Sequence, residues 1–220
     1  MSSLRLKYQT IEFGDIDIHV RTLRNRQEYS NQHDDAVNSG VTSATWPLFG
    51  VVWASGELLS HIMLDYKVKG LRILEVGCGI GLASLILNSR SADITATDHN
   101  PDAEHFLSEN VLLNDGDDIP FTCTSWAELG DDLGEFDLII GSDLLYERDH
   151  AELLSNFIER HSKQCCKVII VDPGREHHKE FSKRMVDFGY AHSETVPSDI
   201  SMLTQPMRGK NNFRVLSYQR

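Results

Sequence analysis

From Gly70 onward the chain alternates short apolar or β-branched runs with segments of helical length, and this alternation limits the fold more than any other feature. The strand-like runs are RILEV (72–76), DITAT (93–97), PFTCT (120–124), FDLII (136–140) and KVIIV (167–171). Helical stretches at 82–89, 101–114, 149–163 and 177–188 lie between or after them. Strands separated by helices of this length form βαβ units, so the expectation is an α/β fold around a mostly parallel sheet. The last two runs, YAHSETV (190–196) and NFRVLSY (212–218), have no helix between them and read as an antiparallel pair closing one sheet edge. In an open sheet of this kind ligands bind beyond the C-terminal ends of the strands. The residues that end each strand are therefore where chemistry is to be sought.

Upstream, residues 4–23 alternate weakly (Ile11, Phe13, Ile16, Ile18, Val20) around Gly14-Asp15 and read as a β-hairpin. Residues 24–45 are polar and loop-like. Between Gly50 and Leu64, apolar residues at 51, 52, 58, 59, 62 and 63 follow helical spacing, with Ser55 as the expected cap. The expected division is an N-terminal hairpin-and-loop extension over 1–49 and one main domain over 50–220.

Charge bears on the partner. The net charge of −12 comes with no basic run, and acids gather at 98–118 and 128–137. Nucleic-acid affinity rests on clustered Lys and Arg against phosphates, so a DNA or RNA substrate is disfavoured. An acidic surface tolerates a basic partner such as a lysine-rich protein segment. No apolar run approaches the roughly 18 residues that span a bilayer, and the start MSSLRLKYQTIEFGD lacks a secretory h-region. The four cysteines show neither zinc spacing nor a disulfide framework. Reduced thiols in a cytoplasmic, monomeric protein are the expectation.

The stretch LEVGCGIGLA (74–83) ends the first parallel strand and opens a helix. Gly77 and Gly79 let the backbone turn tightly and approach a ligand. A dinucleotide fingerprint places its third glycine one residue later than Gly81, and no P-loop lysine follows, so the spacing favours a ligand without a pyrophosphate. Asp98 closes the second strand, where a carboxylate accepts hydrogen bonds from ribose hydroxyls; a helix cap before Pro101 is the equal alternative. Trp126 follows the third strand, where its face would cover an adenine ring, against the alternative of a core aromatic.

Together with the acidic second-strand end and the closing strand pair, E-V-G-C-G-x-G resembles the class I, seven-stranded S-adenosylmethionine (SAM) methyltransferases over residues 50–220. G-V-V-W-A-S-G (50–56), E-N-V-L-L-N (109–114), Trp126 and G-S-D-L-L-Y (141–146) sharpen it. They look like the D-x-x-Y protein methyltransferase branch, methyltransferase family 16, most of whose known members modify lysine. The resemblance implies a Rossmann-like, doubly wound sheet with an antiparallel C-terminal edge strand. It also implies SAM contacts from Trp53, Glu75, Gly77, Cys78, Gly79, Gly81, Asp98, Trp126 and Ser142. The chain departs from the branch at Trp53-Ala54-Ser55, where W-P-S or W-P-A is usual.

Asp143 and Tyr146 carry the D-x-x-Y pattern after the fourth strand. Methyl transfer needs an aligned lone pair and excluded water. A lysine amine, with a pKa of about 10.4, must first lose its proton. Asp143 would orient the amine, and Tyr146 would wall and desolvate it, with cation–π attraction assisting recruitment. The alternative is a cap on the next helix and a packing tyrosine. The D/N-P-P-Y of nucleic-acid amino methyltransferases is absent, which leaves a small-molecule or nucleic-acid substrate, or a non-catalytic SAM-binding module, as the lesser readings. Arg175, in D-P-G-R at the fifth strand end, faces the same rim. His177-His178 are adjacent, a poor spacing for a metal, and none is expected.

Overall fold

The computed structural model describes residues 5–24, 48–204 and 212–220. It opens with a two-stranded antiparallel hairpin, β1 (Leu6–Phe13) and β2 (Ile16–Leu23), with Phe13 opposite Ile16 across the Gly14-Asp15 turn. Most of the polar 24–45 segment lies outside the described residues. Then follow α1 (Ala54–Asp65), β3 (Arg72–Val76), α2 (Leu82–Ser89), β4 (Asp93–Asp98), α3 (Asp102–Leu113) and β5 (Phe121–Cys123). The chain continues through β6 (Phe136–Ser142), α4 (His150–His161), β7 (Ser162–Asp172), α5 (His178–Asp187), β8 (Ala191–Thr195) and β9 (Arg214–Gln219).

Seven of these strands form one sheet in the order β5-β4-β3-β6-β7-β9-β8. The first five run parallel, and β9 pairs antiparallel with both β7 and β8. The expected closing pair is present. Within it the C-terminal strand β9 lies inside and β8 forms the rim.

The double winding follows from the period of two along the strands. Ile73, Leu138, Ile140, Ile169 and Val171 enter a core shared with α1, α2, α3 and the hairpin. Their neighbours Leu74, Val76, Ile139, Val168 and Ile170 enter the opposite core, with α4 and α5. On α4, Ala151, Leu154 and Ile158 fall on one face at helical spacing and are fully buried. Truncating Phe157, also fully buried, to alanine would cost about 3–5 kcal/mol.

The ENVLLN segment has a structural task. Asn110 accepts a hydrogen bond from Arg21 N (2.7 Å) and donates to Ile80 O (3.2 Å). One turn on, Asn114 accepts from His19 N (2.8 Å) and donates to His19 O (2.7 Å). The Arg21 guanidinium reaches Glu109 at 3.0 Å and lies over Phe106. Two asparagines thus satisfy the free edge of β2, and Asn110 ties that edge to the glycine loop.

Three local expectations are corrected. Ser55 does not cap α1: the cap position is Trp53, without a side-chain hydrogen bond, and Ser55 is buried in the first turn. The helix expected to 163 ends at His161, because Ser162 turns extended and starts an eleven-residue β7. The 120–124 run pairs only over Phe121–Cys123.

Candidate active site

A cavity of about 670 Å³ opens at the C-terminal ends of β3, β4, β5 and β6. Its lining includes Trp53, Glu75, Gly77, Cys78, Gly79, Asp98, Trp126, Ser142, Asp143 and Tyr146, all expected from the sequence.

At the β3 end, the buried Glu75 carboxylate accepts hydrogen bonds from Ser84 N (2.9 Å) and, over a short distance, from Ser84 Oγ. Burial pushes this carboxyl up to about 7, against the pull of the Ser84 bonds. Cys78, buried beside Asp98 and Glu75, has its thiol driven well above its ordinary value by desolvation first and by those charges second, so it stays protonated.

The glycines are required by the protein as well as by any ligand. Gly79 has φ +57, and a Cβ there would lie 2.8 Å from Phe49 O. A Cβ on Gly77 would meet Leu144 Cδ2 at 2.6 Å. Leu144 is buried against both Gly77 and Gly141, which locks the ends of β3 and β6 together. Gly81 departs from its expected place. It does not line the cavity but sits left-handed (φ +73) at the start of α2, where any Cβ would strike Leu107.

Asp98 is 6% exposed. Its Oδ2 accepts from Gly79 N (2.9 Å) and its Oδ1 from Asn100 N (2.9 Å). It is not the cap of α3, because Asn100 Oδ1 takes the Asp102 N–H at 2.9 Å. A carboxylate has about four lone-pair sites, so both oxygens retain capacity for hydroxyl donors. His99 lies 3.5 Å from Asp98 Oδ1, and that bond raises its pKa against the effect of burial.

The wall that follows β6 includes a residue the sequence did not single out. His150, four residues after Tyr146, donates Nδ1–H to Leu144 O (2.7 Å). It stands edge-on between Trp126, 5.0 Å from it, and Tyr146, 4.5 Å from it. Trp53 also lines the cavity, its indole N–H donating to Leu48 O at 2.9 Å. Desolvation, with the nearby Asp98, Glu147 and Asp143 charges, pushes the Tyr146 hydroxyl up to about 12. Asp143 has a left-handed backbone (φ +56), and its carboxylate is not the helix cap: Arg175 Nε donates to Oδ1 at 2.5 Å. The guanidinium carbon of Arg175 stands 5.6 Å from the Tyr146 ring centroid. Glu147, Asp149 and His150 bring ligand atoms within 4.8 Å of one another, though both carboxylates are exposed and His150 Nδ1 is already engaged.

Solved structures share this architecture. Magnesium protoporphyrin IX methyltransferase (ChlM) from Synechocystis PCC 6803 with bound SAM superposes at a TM-score of 0.59 and 18% identity, covering 76% of this chain and 80% of that one. The T. thermophilus 16S rRNA N2 G1207 methyltransferase (RsmC) in complex with AdoMet and guanosine gives 0.66 at 15% identity, over 100% of this chain and 51% of that one. Among curated relatives, the electron transfer flavoprotein beta subunit lysine methyltransferase of Xenopus laevis is 32% identical over 163 residues, 72% of this chain and 63% of its own length. Protein N-lysine methyltransferase METTL21A of Danio rerio is 33% identical over 115 residues, 47% of this chain and 52% of its own length. The chain therefore spans about half to two thirds of the length of these relatives. Residues 37–188 match the family described as lysine methyltransferase, a span that covers every cavity residue named above, and the chain belongs to that family.

Proposed function

We propose that this chain transfers a methyl group from SAM to a protein side-chain nitrogen, that of lysine foremost. The observation that carries the reading is one cavity lined by both the Asp98 carboxylate and the Asp143–Tyr146 pair. The family to which the chain belongs and the lysine methyltransferases it resembles support the same reading.

The donor set fits SAM. Asp98 has lone pairs left for two ribose hydroxyls, Trp126 supplies an aromatic wall near the base, and Trp53, Gly77, Gly79 and Ser142 line the remainder. Bound there, SAM supplies an electrophilic methyl on a positively charged sulfur. The chain's own residues do the rest. Gly79 N and Asn100 N hold Asp98 in place, so the ribose partner needs no reorganisation on binding. Asp143 accepts a hydrogen bond from the substrate amine and fixes its direction, while Tyr146 and His150 wall the channel and keep water from the nitrogen. Tyr146, protonated through the physiological range, stays a hydrogen-bond donor.

Residues 50–220 form the proposed catalytic unit and 1–49 an extension to it. We further propose a cytoplasmic monomer, and the negative charge speaks against nucleic acid as substrate. Incubation of the purified protein with methyl-tritiated SAM and a cell lysate tests the substrate class. The expected label survives nuclease and disappears with protease; nuclease-sensitive label would reverse the reading.

A further inference from the structure

Asp143 and Arg175 approach the cavity from different strand ends, and both main chains are anchored before the side chains meet. Asp143 N donates to Val171 O at 2.9 Å, which carries the β6–β7 ladder one residue past β6. Arg175 N donates to Asp172 Oδ1 at 2.6 Å, and the Gly174 N–H shares that oxygen at 2.8 Å. His178 Nδ1 donates to Arg175 O. The turn at the end of β7 is thereby closed on both sides, and it delivers the Arg175 Nε to Asp143 Oδ1 at 2.5 Å. Both side chains line the cavity, with the guanidinium carbon 5.6 Å from the Tyr146 ring centroid.

This arrangement bears on how a lysine is made nucleophilic, and it rests on the lysine reading above. A carboxylate alone beside an amine favours the ammonium, and a unit charge within about 4–6 Å moves a pKa by about one to three units. Lysine starts at about 10.4, so a bare Asp143 would push the bound amine further from its reactive form. A tyrosine face adds to the difficulty, since it also attracts the cation. In this site both the carboxylate and the ring already have a cation beside them. We infer that Arg175 is a positioning residue that neutralises Asp143 and occupies the Tyr146 face, so that the substrate lysine is held as a neutral amine.

The chemistry balances without a protein base. The substrate ammonium gives its proton to solvent, and the nitrogen lone pair forms the new N–C bond. The pair of the breaking C–S bond stays on sulfur, and the positive charge moves from sulfur to the methylated nitrogen. Asp143 keeps its role of fixing the direction of that lone pair. Desolvation works against the Arg175 charge, but the hydrogen bond and charge of Asp143 outweigh it and hold the guanidinium above its ordinary value. Other titratable groups surround the pair: Tyr146 and Glu147 after β6, Asp172 at the end of β7, His178 on α5, and Asp98 with His99 across the cavity. They are common to wild type and variants, so the difference between profiles isolates Arg175.

The test is kcat at saturating protein substrate from pH 7 to 10 for wild type, Arg175→Met and Arg175→Lys, with SAM affinity measured by calorimetry. In Arg175→Met the acid limb should move up by about one pH unit or more, and kcat near neutral pH should fall about tenfold. The deficit should close toward pH 10, and KM should not rise, because the ammonium is then better held. Arg175→Lys should return the profile toward wild type, and SAM affinity should stay within about threefold in both variants. A loss equal at every pH, a lysine variant no better than methionine, or lost SAM affinity would each overturn the inference. If wild type labels no lysine, the proposed function fails and this inference with it; a labelled wild type with coincident profiles defeats the inference alone.

Discussion

The carboxylates that line the cavity are held by different means. Asp98 and Glu75, at the ends of β4 and β3, accept main-chain N–H groups of Gly79, Asn100 and Ser84, supplemented by the Ser84 hydroxyl. Asp143, on the reacting side, is engaged by the Arg175 guanidinium, a side chain from another strand end. Main-chain donors are placed by the fold and survive most substitutions around them. A guanidinium can be removed, exchanged or screened, since the Arg175 side chain is 37% exposed. The first arrangement suits a site that must present one geometry to one small molecule. The second suits a step in which the charge beside a nitrogen sets its protonation.

The largest effect is expected at Asp143. Asp143→Asn should lower kcat by on the order of a hundredfold or more, through lost orientation of the amine, while SAM binding by calorimetry changes little. Retained turnover would deprive Asp143 of its role. Asp98→Ala should do the converse. Hydrogen bonds to a charged acceptor contribute about 1.5–3 kcal/mol each, so losing two ribose partners should raise the SAM Kd by about a hundredfold or more. An unchanged Kd would reduce Asp98 to a clamp on Gly79 and Asn100.

Smaller effects separate the glycine loop from its supports. Asn110 is fully buried and joins β2 to Ile80 O. Asn110→Ala leaves a buried N–H and a buried carbonyl unpaired, at about 1–3 kcal/mol each, and thermal unfolding should drop by several degrees. An unchanged Tm would show that the hairpin edge finds other partners. The smallest effect is one of pH. Glu75 is raised from 4.5 to about 7 in the fold, so between those values the folded state binds more protons than the unfolded one. Its stabilising share is present below pH 4.5 and is lost as pH rises through about 7, by about 3 kcal/mol at most. The stability of wild type relative to Glu75→Gln, measured by urea unfolding, should therefore decline from pH 5 to pH 8. A rise over that window would contradict the assignment.

The legible part of this molecule was the part written in local periodicity. Alternating Ile73 and Leu74, or Ile139 and Ile140, face opposite cores, and a period of two predicts that directly. Asp98 and Asp143 could be found because strand ends define where a ligand sits. The sequence places Arg175 at the rim, but its partnership with Asp143 spans 32 positions and depends on how β6 and β7 lie side by side. His150 escaped notice for the same reason: only the folded chain sets it between Trp126 and Tyr146. The glycines were read as space for a ligand, yet the atoms nearest their absent side chains are Leu144, Phe49 O and Leu107. ENVLLN could be matched but not explained until β2 supplied an edge for Asn110 and Asn114 to satisfy. Ser55 misleads because a residue type suited to a cap lies inside the first turn of a helix whose cap position is Trp53.

A methyl group arriving at lysine is the step that defines the proposed function. The direct measurement is acid hydrolysis of protein labelled by this enzyme and methyl-tritiated SAM, followed by chromatographic separation of the amino acids. The account predicts label in methylated lysine, present with the wild type and absent with Asp143→Asn. Label in methylhistidine, or none in any amino acid, would contradict it.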